Sequence, residues 1–143
     1  MEKIGGAIKL QHKEASIEEG QMEPRSTGIH NIPRHNFVLW IAIQDRLQTR
    51  ERLEKHNIIL DGCCLFCRSQ TETMEHRFLT CSFPLVYLKQ MKCCLDWGAE
   101  SSSLCKLMRW VDRAKISRFG KLVLAAATAT LVYHLWHARN DIL

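Results

Sequence analysis

The feature that most constrains this chain is the stretch CCLFCRSQTETMEHRFLTC, residues 63–81, which holds four cysteines and one histidine. Side chains of these types, so close together, form a metal site, part of a disulfide pattern or a group of small buried residues. The N-terminal stretch MEKIGGAIKLQHKEASIEEG contains no apolar run of signal-peptide length, and the chain has seven cysteines, an odd number. We therefore expect an intracellular protein, nuclear or cytoplasmic and not secreted, whose thiols stay reduced.

The spacing within this stretch is typical of a zinc site. Cys64 and Cys67 are separated by two residues, and His76 and Cys81 by four, so the pattern is C-x2-C-x8-H-x4-C. A tight turn brings the first pair onto one ion, and one helical turn with its end brings the second pair. We predict one Zn²⁺ bound by Cys64, Cys67, His76 and Cys81. Cys63 would give a C-x3-C start and stays an alternative to Cys64, which we favour.

Other kinds of cysteine site fit the pattern less well. The histidine and the lack of a fourth paired cysteine disfavour an ordinary four-thiolate iron–sulfur cluster. A redox C-x-x-C is expected beside a strand in a βαβ context, and no such context is visible. A catalytic zinc keeps one position open to water, whereas four protein ligands close the shell. The predicted zinc is therefore structural.

Hydrophobic periodicity predicts a mostly α fold, a small helical domain with an irregular Cys3His zinc-binding insert. Residues 1–29 are polar and are expected to be a flexible leader. Residues 30–97 are expected to form the zinc-binding domain, and residues 98–143 C-terminal helices that pack on it. The apolar run LVLAAATATLVYHLW, residues 122–136, is shorter than the 18 to 20 residues of a usual membrane span, so we predict a buried helix and no membrane contact.

Local patterns place the helices and their ends. After Pro33, a helix is predicted whose apolar stripe contains Phe37, Trp40, Ile41 and Leu47. Thr49 is the expected N-cap of a short second helix, RERLEKH. Further helices are predicted from Pro84 to about Trp97, from about 103 to 114 with ESSS as its cap, and from about 116 to 139. Ser69 and Glu72 resemble a capping box that opens the turn carrying His76.

The charge of the chain is compatible with contact to a polyanion. Residues 32–143 contain 16 basic and 10 acidic side chains, and the whole chain has a net charge of +5. Cations that neutralise phosphates release counterions, which favours binding to RNA or DNA. A solvated helix face would look the same in the sequence. The candidate contact residues flank or belong to the metal-binding segment: Arg34, Arg46, Arg50, Arg52, Lys55, Arg68 and Arg77.

Two segments, PRHNFVLWIAIQDRLQTRERL and CLFCRSQTETMEHRFLTCSF, together resemble the zinc-binding domain of plant non-LTR (LINE-type) retrotransposon reverse transcriptases. The resemblance extends over roughly residues 30 to 141 and includes the tail YHLWHARN, residues 133–140. Leu88 stands where a tryptophan is common in that family. The matching helix positions are Pro33, Phe37, Trp40, Arg46, Leu47, Thr49 and Leu53, and the matching metal positions are Cys64, Cys67, His76 and Cys81.

The resemblance implies a module that lies C-terminal to a polymerase domain and assists RNA or DNA binding there. The sequence shows no Asp-Asp motif and no acidic cluster like an endonuclease or ribonuclease H centre. We therefore expect no enzymatic activity and no small-molecule substrate. The expected partners are nucleic acid and a reverse transcriptase domain missing from this chain.

Two further hypotheses remain at this point. In the first, the chain is a protein-interaction or purely structural remnant, with an apolar face formed by Trp40, Trp97, Trp110 and Trp136. In the second, Tyr133, His134, His137 and Arg139, which lie within two helical turns, would carry chemistry. Without a convergent nucleophile and base we assign none to them.

Overall fold

The structure, a computed structural model, describes residues 32–98 and 100–143, and the predicted leader at residues 1–29 lies outside these ranges. The fold is mostly α-helical, as predicted. A π-helical turn, His76–Thr80, precedes α3, and the only strand-like pairing in the described ranges is a bridge between Cys63 and Thr71. The helices are α1 (Pro33–Ile43), α2 (Arg50–Lys55), α3 (Ser82–Cys94), α4 (Leu104–Arg113) and α5 (Arg118–Ile142).

Helix α5 is the central element of the fold, because α1, α3 and α4 all pack against it. Ala129 is fully buried, and its small side chain lets neighbouring helices approach closely. By length and composition α5 could also cross a membrane, and 28% of its apolar window is buried inside this domain. The core residues of α1 and α5 are Val38, Leu39, Ala42, Leu124, Ala129, Val132 and Leu135.

The buried face of α1 differs from the predicted stripe. Its buried residues are His35, Val38, Leu39 and Ala42, which follow the i, i+3, i+4, i+7 pattern of one helix face. Phe37 is 60% exposed, so its predicted core position is wrong. Apolar residues surround most of this helix, and the position of α5 decides which of them become core.

The short second helix begins as predicted. The Thr49 hydroxyl accepts a hydrogen bond from the Arg52 N–H at 3.4 Å. Helix α3 begins at Ser82, so Pro84 is its third residue and not its first. That position is compatible with proline, because the first four N–H groups of a helix have no intrahelical partner.

Helix α3 ends at Cys94, before Trp97, and Trp97 lies in the core with 3% exposure. The hypothesis of an apolar face that includes Trp97 is therefore wrong for this residue. Leu88 is also buried. Ser103 is the N-cap of α4, as the ESSS run predicts, but its side chain makes no capping hydrogen bond.

Candidate metal centre

A tight loop presents the first cysteine pair. Within it the Cys64 N–H donates to the Gln70 carbonyl at 2.7 Å, and the Arg68 N–H donates to the Cys64 carbonyl at 2.8 Å. Arg68 has a φ of 53°, a left-handed conformation that reverses the chain directly after Cys67. The turn brings the side chains of Cys64 and Cys67 to the same site.

The π-helical turn presents the second pair. The Cys81 N–H donates to the His76 carbonyl at 2.9 Å, and this i to i+5 bond brings together the two ends of the H-x4-C spacing. The predicted capping box of Ser69 and Glu72 is wrong. The Thr73 hydroxyl accepts from the His76 N–H at 3.0 Å, while Glu72 is buried and bonded elsewhere.

The four predicted ligands converge. The Sγ atoms of Cys64, Cys67 and Cys81 and a ring nitrogen of His76 all lie within 4.8 Å of one another. Cys64 Sγ is 3.9 Å from Cys81 Sγ, and Cys67 Sγ is 3.3 Å from His76 Nε2. A tetrahedral zinc with Zn–S bonds of about 2.3 Å separates its sulfur ligands by about 3.8 Å. The Cys3His group thus fits one structural Zn²⁺. Cys63, the alternative first ligand, is not a member of the group.

The surroundings of the ligands agree with a metal on His76 Nε2. The other ring nitrogen, Nδ1, lies 3.4 Å from the Thr80 hydroxyl, so a metal-bound His76 can donate its Nδ1–H to that oxygen. Such a partner fixes the tautomer and the orientation of the ring. Cys64 and Cys81 are completely buried, and His76 nearly so. Three of the four ligands are therefore shielded from solvent, while Cys67 is partly exposed.

The thiols of the first pair differ in acidity. Burial raises the pKa of Cys64 to about 11. Hydrogen bonds from Ser69, with a further contribution from His76, lower the pKa of Cys67 to about 5. Zinc binds the thiolate form, so Cys67 is ready to bind at neutral pH, whereas Cys64 must release its proton.

A buried arginine provides an independent test of whether the surroundings of the site suit a bound zinc ion. Three thiolates, one neutral imidazole and Zn²⁺ carry a net charge of −1. Arg77 is completely buried and interacts electrostatically with Cys64 and with Glu72. Its Nη1 donates to the Gln48 carbonyl at 3.1 Å, while its Nε and Nη2 have no hydrogen-bond partner among the residues that the structure describes. Burial lowers the pKa of Arg77 to about 10, and an anionic zinc–thiolate centre would stabilise its positive charge.

The metal-binding segment is attached to α5 through Glu72, a residue whose sequence pattern predicts only a capping box. The Glu72 carboxylate is buried and accepts from Nε and Nη2 of Arg139, at 3.2 and 3.0 Å. It also accepts from the Arg50 N–H at 3.1 Å. In the sequence, Arg139 belongs to the C-terminal tail and to the group with Tyr133, His134 and His137, and nothing there pairs it with a residue so far away along the chain.

The predicted basic residues differ in how available they are for contact with nucleic acid. Arg77 is the clear exception, because a completely buried side chain cannot contact nucleic acid. Arg50 is bonded to Asp61, Arg52 to Asp45 at 2.6 Å and Lys55 to Glu51 at 2.6 Å. Arg34, Arg46 and Arg68 are exposed, and their side chains have no hydrogen bond or ion pair within residues 32–98 and 100–143.

Comparison with known proteins identifies the same segment. Residues 24–86 match a protein family described as zinc-binding in reverse transcriptase. The match includes all four converging ligands and ends inside α3. No curated protein matches the chain, and no solved structure does.

Proposed function

We propose that this chain is a non-catalytic zinc-binding module that assists RNA or DNA binding by a reverse transcriptase of the non-LTR, LINE-like type found in plants. The observation that carries the proposal is the closed Cys3His group within a segment that matches a reverse-transcriptase zinc-binding family. Four protein ligands leave zinc no open position for water, so the metal acts as a scaffold. The free thiols fit a reducing compartment, the nucleus or the cytoplasm.

The charge distribution supports contact with nucleic acid. Arg34, Arg46 and Arg68 are exposed and unpaired among the residues described, so each can neutralise a phosphate without breaking an existing ion pair. The cations of Arg50, Arg52 and Lys55 already have carboxylate partners and contribute less. The nucleic-acid contact is therefore carried by the first three arginines.

Metal content is the first test of the module. Protein purified without added metal is expected to contain one zinc per chain and to lose thermal stability when a strong chelator removes it. Circular dichroism before and after chelation measures this change. A metal-free protein with an unchanged melting curve would contradict the proposal at its first step.

Nucleic-acid binding is tested with labelled RNA and DNA oligonucleotides at 50 to 200 mM salt. The triple variant Arg34→Ala, Arg46→Ala, Arg68→Ala should bind more weakly and lower the salt slope by up to about 3. A charge-matched control is Arg113→Ala, Lys115→Ala, Arg118→Ala. Arg118 begins α5, about 30 Å along the helix from Arg139, which contacts the metal-binding segment. Equal losses in both triple variants would indicate unspecific attraction and oppose the proposed surface.

A groove between α1 and α5 favours a second candidate function, docking of a reverse transcriptase domain. The groove has a volume of ≈ 500 Å³ and is mostly apolar. Phe37, Tyr133 and Trp136 line it, and Phe37 is largely exposed. An apolar surface of this kind is typical of a protein-binding site. Binding to a polymerase domain that resists high salt and is lost in Phe37→Ser would support this function.

A further inference from the structure

An aromatic cluster lies beside the metal centre. The rings of Phe66 and Phe83 are stacked, with centroids 4.5 Å apart, and Tyr87 meets Phe83 edge to face at 5.4 Å. Phe66 belongs to the loop between the ligands Cys64 and Cys67, so zinc binding would order it. We call Phe66, Phe83 and Tyr87 the aromatic cluster.

The cluster is open to solvent on the side of α3 that faces away from the core. Phe83 is 38% exposed and Tyr87 is 46% exposed, while Val86 between them is 54% exposed. On the opposite side of the helix, Pro84 and Leu88 are buried. An aromatic surface that a globular chain leaves in water marks a binding site more often than an isolated exposed ring does.

The charge around the cluster indicates an anionic partner. The two segments that form it, residues 63–71 and 82–94, contain Arg68, Lys89 and Lys92 and no aspartate or glutamate. Arg68 is exposed and follows Phe66 by two residues. Lys89 is exposed and lies one helical turn after Val86. An apolar protein partner would not require an excess of positive charge. A nucleic-acid strand would use both features, because its bases can contact the rings and its phosphates can contact the cations.

We infer that Phe66, Phe83 and Tyr87 form a stacking platform for unpaired bases of single-stranded nucleic acid, with Arg68 and Lys89 on the adjacent phosphates. This inference rests on the proposed function and specifies its ligand, because bases inside a duplex do not expose their faces. Stacking is tolerant of sequence, since every base has a π face. The platform therefore selects single strands over duplexes without selecting a sequence.

The test compares single-stranded and duplex oligonucleotides of one sequence, as RNA and as DNA. Wild-type protein should bind the single strands more tightly. Tyr87→Leu and Phe83→Leu should each weaken single-strand binding by about tenfold. Tyr87→Trp keeps a π face and should retain the affinity, which separates stacking from apolar contact. The salt slope should stay unchanged in all three variants, because no charge is removed.

Control variants distinguish a failure of the stacking platform from a failure of the proposed function. Phe119→Leu removes an aromatic ring that is 74% exposed at the start of α5 and should change nothing. Zinc content is measured for every variant, so a loss of fold is recognised. If wild-type protein binds duplex and single strand equally, and Tyr87→Leu and Phe83→Leu do not change the affinity, the platform is refuted. The proposed function is left intact by that result. Wild type that binds no nucleic acid overturns both.

Discussion

Arg139 of α5 donates from Nη2 to a carboxylate oxygen of Glu72, 67 residues earlier in the chain, at 3.0 Å. The side-chain exposure of Arg139 is 4% and that of Glu72 is 0%, so the ion pair is shielded from water. Glu72 follows the cysteine loop and precedes the turn with His76. This one contact therefore joins the metal-binding segment to the last turns of the longest helix.

Replacing Arg139 should destabilise the protein strongly. Arg139→Met leaves the Glu72 carboxylate buried without its principal cation, and breaking a buried pair from one side costs about 3–5 kcal/mol. Arg77, 4.0 Å from Glu72, offers partial compensation, so the lower end of this range is expected. Chemical denaturation of the zinc-loaded protein measures the free energy of unfolding. Arg118→Met, an exposed residue of the same helix, should change it by less than about 0.5 kcal/mol. Equal effects of the two changes would contradict the role of the ion pair.

Metal binding should distinguish two adjacent cysteines. Cys64→Ser removes a buried member of the ligand group and should abolish stoichiometric zinc binding, which is worth roughly 10 kcal/mol or more in small structural sites. Cys63→Ser should retain one zinc per chain, because Cys63 is outside the group. Elemental analysis of both variants gives the answer. Zinc retained in Cys64→Ser and lost in Cys63→Ser would reverse the ligand assignment.

Stability should fall in mild acid because of His35. Burial, and then the neighbouring His134 and His137, lower the pKa of His35 below its usual 6.5. The unfolded state therefore binds a proton on His35 more readily than the folded state does. This difference reduces stability as the pH falls through 6.5 and towards the lower folded pKa. Its effect is absent well above pH 7.

The contribution of His35 can be isolated by comparing variants. Acid also releases zinc, so the pH profile of wild-type stability is compared with that of His35→Gln. In the wild type, His35 Nδ1 lies 3.1 Å from the Thr130 hydroxyl, and the glutamine side chain can still bond this hydroxyl. Wild type should lose more stability between pH 7 and pH 5 than His35→Gln loses. His56→Gln, a change at an exposed histidine, should leave the wild-type profile unaltered. Parallel profiles for wild type and His35→Gln would exclude the effect.

Two helix N-caps that look equivalent in the sequence should differ in energy. Thr49→Ala removes the hydroxyl that accepts from the Arg52 N–H and should cost about 1 kcal/mol. Ser103→Ala should be close to neutral, because the Ser103 side chain makes no capping hydrogen bond. Thermal unfolding of both variants compares the two caps. A larger loss in Ser103→Ala would show that the hydroxyl of Ser103 has a role that its contacts do not indicate.

Much of the candidate site could be predicted because its information is local. The C-x2-C and H-x4-C spacings specify ligand pairs within one turn each, and the four side chains converge as expected. The N-cap at Thr49 is equally local, since the hydroxyl and its N–H partner are three residues apart. The helical class follows from periodicity over ten or more residues. None of these features requires knowledge of which elements are neighbours.

Predictions of which side chains are buried and which are exposed were less successful. Phe37 was expected in the core and is exposed, because α1 is apolar on several sides and only the position of α5 selects the buried one. Arg77 was expected on the surface. It is buried because the π-helical turn directs it towards the Gln48 carbonyl and the Glu72 carboxylate.

The sequence by itself therefore determined the ligand set, the helical class and the positions where most helices begin, all of which follow from contacts between residues close in the chain. The tertiary structure alone decided that Glu72 and Arg139 meet, that Arg77 is internal and that Phe66, Phe83 and Tyr87 lie together. The physical reason is the range of the interactions. A buried charge or an exposed ring acquires its role from neighbours that the folded chain brings close, and residue spacing contains no information about those neighbours.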